Sequence, residues 1–133
     1  MTYRFENLDV WKLARVFVNL IYSKTKTFPK EEQFALTSQM RRAALSVLLN
    51  ITEGSDRKSD IEFIRFLRIS FGSMQEVVAA SYIATDQNYC LTADLDEILQ
   101  NANILGQKIN GLIKYLKTAA GSSRTLLGKR SKV

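Results

Sequence analysis

The sequence predicts an all-α protein, an up-down-up-down antiparallel bundle of four helices over residues 1–118. Four long segments repeat apolar residues at spacings of three and four, which places those residues on one face of a helix. Clusters around Pro29, Gly54 and Asn88 separate the segments with residues that favour turns. No segment alternates apolar and polar residues for long enough to predict a strand.

The first two predicted helices lie on either side of the single proline, Pro29. The first covers residues 6–27, and its apolar stripe comprises Val10, Ala14, Phe17, Ile21 and Thr25. Pro29 suits the first turn of the second helix, which covers residues 30–55. Gly54 is expected to end this helix, because glycine is common near helix C-termini.

The third predicted helix covers residues 60–87, with Ser59 or Asp60 as its cap. The fourth follows Thr92, which is the expected N-cap ahead of acidic residues in the first turn. Its apolar heptads stop near Gly121. The sequence therefore predicts a basic, disordered tail over residues 119–133.

Composition restricts the class of protein. The 133 residues suffice for one domain, and no apolar run approaches the roughly 18 residues of a transmembrane helix. The N-terminus lacks the apolar core of a signal peptide, and the single cysteine, Cys90, fits a reducing cytoplasm. Because there is no histidine, we expect no zinc or transition-metal site, and no nucleotide-cofactor motif occurs. We therefore expect a cytoplasmic protein without metal or cofactor.

The net charge of +6 is concentrated in the tail. After Gly121 the chain has no acid and carries the bases Arg124, Lys129, Arg130 and Lys132. A cationic tail favours an anionic partner, nucleic acid first. The alternative is a frayed terminus that contributes only solubility.

A polar stripe runs along the second helix beside its apolar stripe. Its members recur at helical spacing: Gln39, Arg42, Ser46, Asn50, Glu53 and Arg57. Ser73 and Glu76 on the third helix are candidate partners. Three interpretations stay open: a solvated face, a structural hydrogen-bonded network within or between subunits, and a direct ligand contact.

The apolar surface exceeds what one bundle needs. Leu45 and Leu49 lie on the far side of the polar stripe, and the first helix, with Trp11, is apolar around more than half its circumference. One face of each bundle helix should meet water. The surplus therefore predicts a homo-oligomer in which Trp11, Leu45 and Leu49 contact another subunit.

Three functions are consistent with these features. In a nucleic-acid scaffold, phosphates would be bound by the tail bases together with Lys12, Arg15, Lys24, Lys26, Arg41, Arg57, Lys58, Arg65 and Arg68. A protein-interaction adaptor is the second. An enzyme is the third, with Glu53 and Glu76 as paired carboxylates or Cys90 as nucleophile. Because no histidine is present to activate Cys90, we expect no catalytic residues.

Several stretches carry a family resemblance: "FENLDVWKLA", "IYSKTKTFPKEEQFALTSQMRRAALSVLLNITEGSDRKS" and "FIRFLRISFGSMQE". Across residues 5–115 the chain resembles the four-helix bundle proteins encoded in intervening sequences of bacterial 23S ribosomal RNA genes. The accessory variability determinant proteins of diversity-generating retroelements are similar to that family. Typical members have alanine where this chain has Thr52.

The resemblance implies a homopentameric, barrel-like ring with a positively charged surface. It also implies binding of structured RNA and, in retroelements, of a reverse transcriptase whose use of template RNA the ring assists. The sequence thus favours a non-catalytic RNA-binding scaffold, with the reverse-transcriptase accessory protein as the alternative.

Overall fold

The computed structural model describes residues 2–121, and regular structure in this part of the chain is entirely helical. The four predicted helices are α1 Asp9–Thr25, α2 Leu36–Ser55, α3 Asp60–Asp86 and α4 Thr92–Gly121. Short 3₁₀ helices at Arg4–Asn7 and Lys30–Glu32 precede α1 and α2. Among residues 2–121, no helix has the length and apolar character needed to span a membrane.

The helices form an antiparallel bundle in which each packs on two neighbours. Contacts join α1 to α2, α2 to α3, α3 to α4, and α4 back to α1. The start of α1 meets the end of α2 through Trp11 and Thr52. The end of α1 meets the start of α4 through Lys24 and Asp94. The predicted all-α class and the four-helix arrangement are therefore confirmed.

The core is built from the predicted apolar stripes. All five stripe residues of α1 are buried, and Phe17 and Phe63 are the largest of the fully buried side chains. Burying one such side chain stabilises the fold by about 1.5–3 kcal/mol. The hydroxyl of Ser70 lies within this core and donates to the carbonyl of Val47 at 2.8 Å. Ser70 thereby joins α3 to the backbone of α2.

The second helix begins later than predicted. Residues 30–32 form a 3₁₀ turn, α2 starts at Leu36, and Phe34 between them is 88 % exposed. The carboxylate of Glu32 accepts hydrogen bonds from the Leu36 N–H at 3.2 Å and the Tyr89 hydroxyl at 2.9 Å. This link to the α3–α4 connection favours the turn over a longer helix.

The second helix ends at Ser55, as predicted, and Gly54 lies in its last turn without a positive φ. A β-carbon built on Gly54 would lie 2.7 Å from Cβ of Phe66 and 3.0 Å from the ring of Phe63. Glycine is therefore needed because α2 and α3 approach closely here, and not because the backbone turns.

The ends of α3 and α4 are fixed by side chains near the predicted turns. Ser59 caps α3 as predicted, since its hydroxyl accepts from the Glu62 N–H at 3.1 Å. Asn88, with φ 63°, follows α3 in the left-handed region that asparagine tolerates. α4 begins with Thr92 itself, so the prediction of Thr92 as N-cap is wrong by one residue. Asp94 supplies the capping oxygen, which accepts from the Leu91 N–H at 2.9 Å.

The α4 helix runs to Gly121, close to where the apolar heptads were predicted to stop. The tail bases Arg124, Lys129, Arg130 and Lys132 lie outside the described residues.

Thr52 joins α1 to α2 through its hydroxyl group. Its hydroxyl accepts from the indole N–H of Trp11 at 2.9 Å and donates to the carbonyl of Leu48 at 2.9 Å. We expect Thr52→Ala to lower the free energy of unfolding by about 1 kcal/mol, because the half-buried indole loses its acceptor. Chemical denaturation of both proteins measures this loss. Equal stabilities would show that water replaces the hydroxyl.

Candidate nucleic-acid interface

The bases predicted to bind phosphate are spread over several faces of the bundle. Lys12 and Arg15 lie exposed on α1, and Lys26 follows its end. Lys58 lies exposed in the turn between α2 and α3, and Arg68 lies exposed on α3. Within residues 2–121 the structure therefore does not gather all of the predicted bases into one patch.

Lys24 is held by two carboxylates of α4. Its ammonium lies 2.7 Å from Asp94 and 2.8 Å from Glu97. Hydrogen bonds to Asp94 first, and then to Glu97, raise the pKa of Lys24 above its ordinary value. The bond from Lys24, helped by the Leu91 N–H, lowers the pKa of Asp94. The charge of Lys24 is thus balanced within the chain, and its evident role is to join α1 to α4.

Arg57 and Arg65 lie over the same aromatic ring. Their guanidinium carbons are 4.9 and 4.6 Å from the ring centroid of Phe66. Arg57 also pairs with Glu53, and Arg65 pairs with Glu62 at 3.1 Å. The latter bond lowers the pKa of Glu62 and raises that of Arg65. We name this set, residues 53, 57, 62, 65 and 66, the arginine–phenylalanine cluster.

A basic groove runs between α3 and α4. Arg68 on α3 faces Lys114 and Lys117 on α4 across a depression of about 500 Å³, which Gln75 and Asn110 also line. A second depression, of about 660 Å³, adjoins it and shares Arg68 and Lys117. Among the described residues, no acidic side chain lines either depression. We call both together the α3–α4 groove.

The two lysines of this groove are not among the bases predicted from the sequence. Lys114 and Lys117 lie one helical turn apart on α4, and they meet Arg68 only through packing of the two helices. A usable signal existed, since residues 98–121 contain three lysines and no acid. Arg68, by contrast, was among the predicted bases.

The polar stripe lies along the seam between α2 and α3. Gln39 donates to Glu76, and the hydroxyls of Ser46 and Ser73 are 2.9 Å apart. Asn50 donates to the carbonyl and the hydroxyl of Ser46, at 2.8 and 3.0 Å. The Gln39–Glu76 and Ser46–Ser73 contacts cross from α2 to α3 within one subunit, whereas the bonds of Asn50 lie within α2.

The remaining members of the stripe lie at the surface. Arg57 pairs with Glu53 one helical turn away, and Arg42 is exposed. The stripe is thus part hydrogen-bonded seam and part exposed surface.

The two carboxylates considered for catalysis lie far apart. Glu76 binds Gln39 near the start of α2, whereas Glu53 lies near its end. Fourteen residues separate positions 39 and 53, which corresponds to about 21 Å along a helix. Glu53 and Glu76 therefore cannot act as a pair. The thiol of Cys90 lies 3.3 Å from the Thr85 hydroxyl, and within residues 2–121 no group of three or more candidate metal ligands occurs.

The surface formed by α1 and α2 carries exposed apolar side chains. Leu45 and Leu49 are 36 % and 52 % exposed, and Tyr22 is 37 % exposed. Trp11 is half-buried and hydrogen-bonded to α2. We call Trp11, Tyr22, Leu45 and Leu49 the α1–α2 apolar seam.

These features define a small four-helix protein with a basic groove on one side and an exposed apolar seam on another. The family model described as 23S rRNA-intervening sequence protein matches residues 6–111. The chain belongs to that family, and the resemblance found from sequence is confirmed. A search of curated proteins finds no match.

Proposed function

We propose that the protein is a non-catalytic, homo-oligomeric scaffold that binds structured RNA through the α3–α4 groove. The observation that carries the proposal is the meeting of Arg68, Lys114 and Lys117 in a groove that no acidic side chain of the described residues lines. The family name, which refers to 23S ribosomal RNA, supports RNA as the anion.

Three of the four cationic side chains that line this groove are available to a ligand. Within the described residues, Arg68, Lys114 and Lys117 form no ion pair, whereas Arg65, which lines the second depression, is paired with Glu62. A phosphate bound there would replace counterions and not an internal carboxylate. Gln75 and Asn110 add hydrogen-bonding groups suited to sugar hydroxyls.

Assembly would strengthen binding. The exposed α1–α2 apolar seam supports association of identical chains, and the family resemblance favours five. A ring would present one α3–α4 groove per subunit, so that a long RNA could engage several at once and gain effective concentration after the first contact. We place this scaffold in the cytoplasm, where its lone cysteine would remain reduced.

We expect the variant Lys114→Gln/Lys117→Gln to bind RNA at least about tenfold more weakly than the parent chain at low salt. The measurement is fluorescence anisotropy with a labelled hairpin RNA, repeated between about 50 and 200 mM potassium chloride. The logarithm of the binding constant should also depend less steeply on the logarithm of salt, by nearly one for each phosphate that the variant no longer neutralises.

The matched control is Lys12→Gln/Lys58→Gln, which removes the same charge from two exposed lysines outside the groove. Affinity close to that of the parent is expected. If this control variant loses as much affinity as the groove variant, general charge and not the groove determines binding. An unchanged salt dependence in the groove variant would remove Lys114 and Lys117 from the interface.

A further inference from the structure

We infer that a cleft between the end of α1 and the start of α2 binds a single phosphate group, independently of the α3–α4 groove. The cleft has a volume of about 330 Å³. Its polar lining residues are Thr25, Lys26, Lys30, Gln33, Thr37 and Arg41. No acid of residues 2–121 lines it.

Arg41 is the fixed cation of this cleft. Its Nε donates to the Thr25 hydroxyl at 2.8 Å, and the guanidinium carbon lies 4.8 Å from the ring centroid of Tyr22. A second guanidinium nitrogen donates to the Tyr22 carbonyl at 3.4 Å. These partners are all neutral, so they orient the half-buried guanidinium without balancing its charge. An anion in the cleft would supply that balance at little cost in side-chain entropy.

Thr37 provides an independent indication of a missing ligand. The residue is 7 % exposed, and its hydroxyl has no hydrogen-bond partner in the part of the chain that the structure describes. Buried hydroxyl groups almost always have a partner, because leaving one unsatisfied costs free energy. The hydroxyl oxygen is itself shielded from solvent, and Thr37 lines the cleft, so rotation of this side chain toward a phosphate oxygen would give the hydroxyl an acceptor.

The neighbouring charges are consistent with an anion. Lys26 and Lys30 are exposed at the cleft and form no ion pair within the described part of the chain. The nearest acids along the chain do not line it: Glu32 is bound to Tyr89 and Leu36. Glu31 is exposed on the same 3₁₀ turn. Two exposed cations beside an oriented one suit a compact, multiply charged anion such as phosphate.

The cleft is separate from the α3–α4 groove. It lies between α1 and α2, at the bundle end where α1 finishes, whereas Arg68, Lys114 and Lys117 lie between the other two helices. Variants of one site can therefore serve as controls for the other. If the groove does not bind RNA, the proposed phosphate cleft is unaffected. If the cleft does not bind phosphate, the proposed RNA site in the groove is likewise unaffected.

The test is equilibrium dialysis of the full chain against radiolabelled inorganic phosphate, with ionic strength held constant by sodium chloride. We expect saturable binding of one phosphate per chain. Arg41→Gln should weaken it about tenfold or more, and Thr37→Val should weaken it about threefold to tenfold. Lys114→Gln/Lys117→Gln should bind phosphate as the parent does.

Thr37→Val separates ligand binding from folding. Valine has nearly the same shape and removes only the unpartnered hydroxyl, so thermal stability without phosphate should be equal or higher. Absence of saturable phosphate binding in the parent would overturn the inference. Phosphate affinity unchanged in both Arg41→Gln and Thr37→Val would also overturn it.

The source of the phosphate is distinguished by competition. A short RNA with a 5′-phosphate that displaces the label, where its 5′-hydroxyl form does not, would identify a terminal phosphate as the ligand. If neither RNA displaces the radiolabelled phosphate from the protein, the ligand is free phosphate. Either result would support a phosphate cleft provided that Thr37→Val weakens binding of the label.

Discussion

Gly54→Ala is expected to lower the free energy of unfolding by about 2–3 kcal/mol. The new β-carbon would lie 2.7 Å from Cβ of Phe66, closer than two such atoms can approach. Both atoms are attached directly to backbone, so no side-chain rotation relieves the contact and the two helices must move apart. Chemical denaturation at equal protein concentration measures the loss, because association would make stability depend on concentration.

Gly72→Ala is the matched control for this prediction. Gly72 is an exposed glycine of α3, and a β-carbon built there meets no atom of the described residues within 4 Å. Alanine should stabilise the helix by about 0.5–1 kcal/mol relative to glycine. If Gly54→Ala shifts stability in the same direction as Gly72→Ala, close helix approach is not the reason for glycine at position 54.

Leu49→Asp is expected to convert the assembled protein into single chains. Leu49 is 52 % exposed in one subunit, and in the proposed ring it is covered by a neighbour. An aspartate there would have to lose its hydration at every subunit interface, which costs several kcal/mol each time without a partner. Light scattering behind a sizing column should give the mass of five chains for the parent and of one chain for the variant.

Ile104→Asp provides the comparison, because Ile104 on α4 is 51 % exposed and lies outside the α1–α2 apolar seam. This variant should keep the mass of the parent. A parent protein that elutes as a single chain would refute the oligomer. Dissociation of both variants would show that added charge, and not the position of Leu49, disrupts assembly.

The helices could be predicted from the sequence because the core of a bundle imposes a regular spacing. The spacing of Val10, Ala14, Phe17 and Ile21 places them on one face of a helix, and this same face is buried in the core. The later start of α2 could not be predicted in this way. It depends on a hydrogen bond between Glu32 and Tyr89, 57 residues away.

The candidate sites depended still more on tertiary packing. Lys24 has the same local sequence features as a free surface lysine, and only the fold brings Asp94 to within 2.7 Å of it. Lys114 and Arg68 likewise line one groove although they lie far apart in the sequence. The sequence therefore gives the number of basic residues. It does not show which of them are free to bind a ligand, because that depends on the tertiary structure.

The arginine–phenylalanine cluster constrains how this protein can evolve. Two arginines stack on Phe66, and each of them pairs with one glutamate. Lysine in place of either arginine would keep the charge but lose the flat guanidinium that stacks on the ring. Lineages that lose the aromatic ring at position 66 should therefore also lose the reason to keep arginine at positions 57 and 65, whereas the two glutamates, whose side chains are about half exposed, can change one at a time.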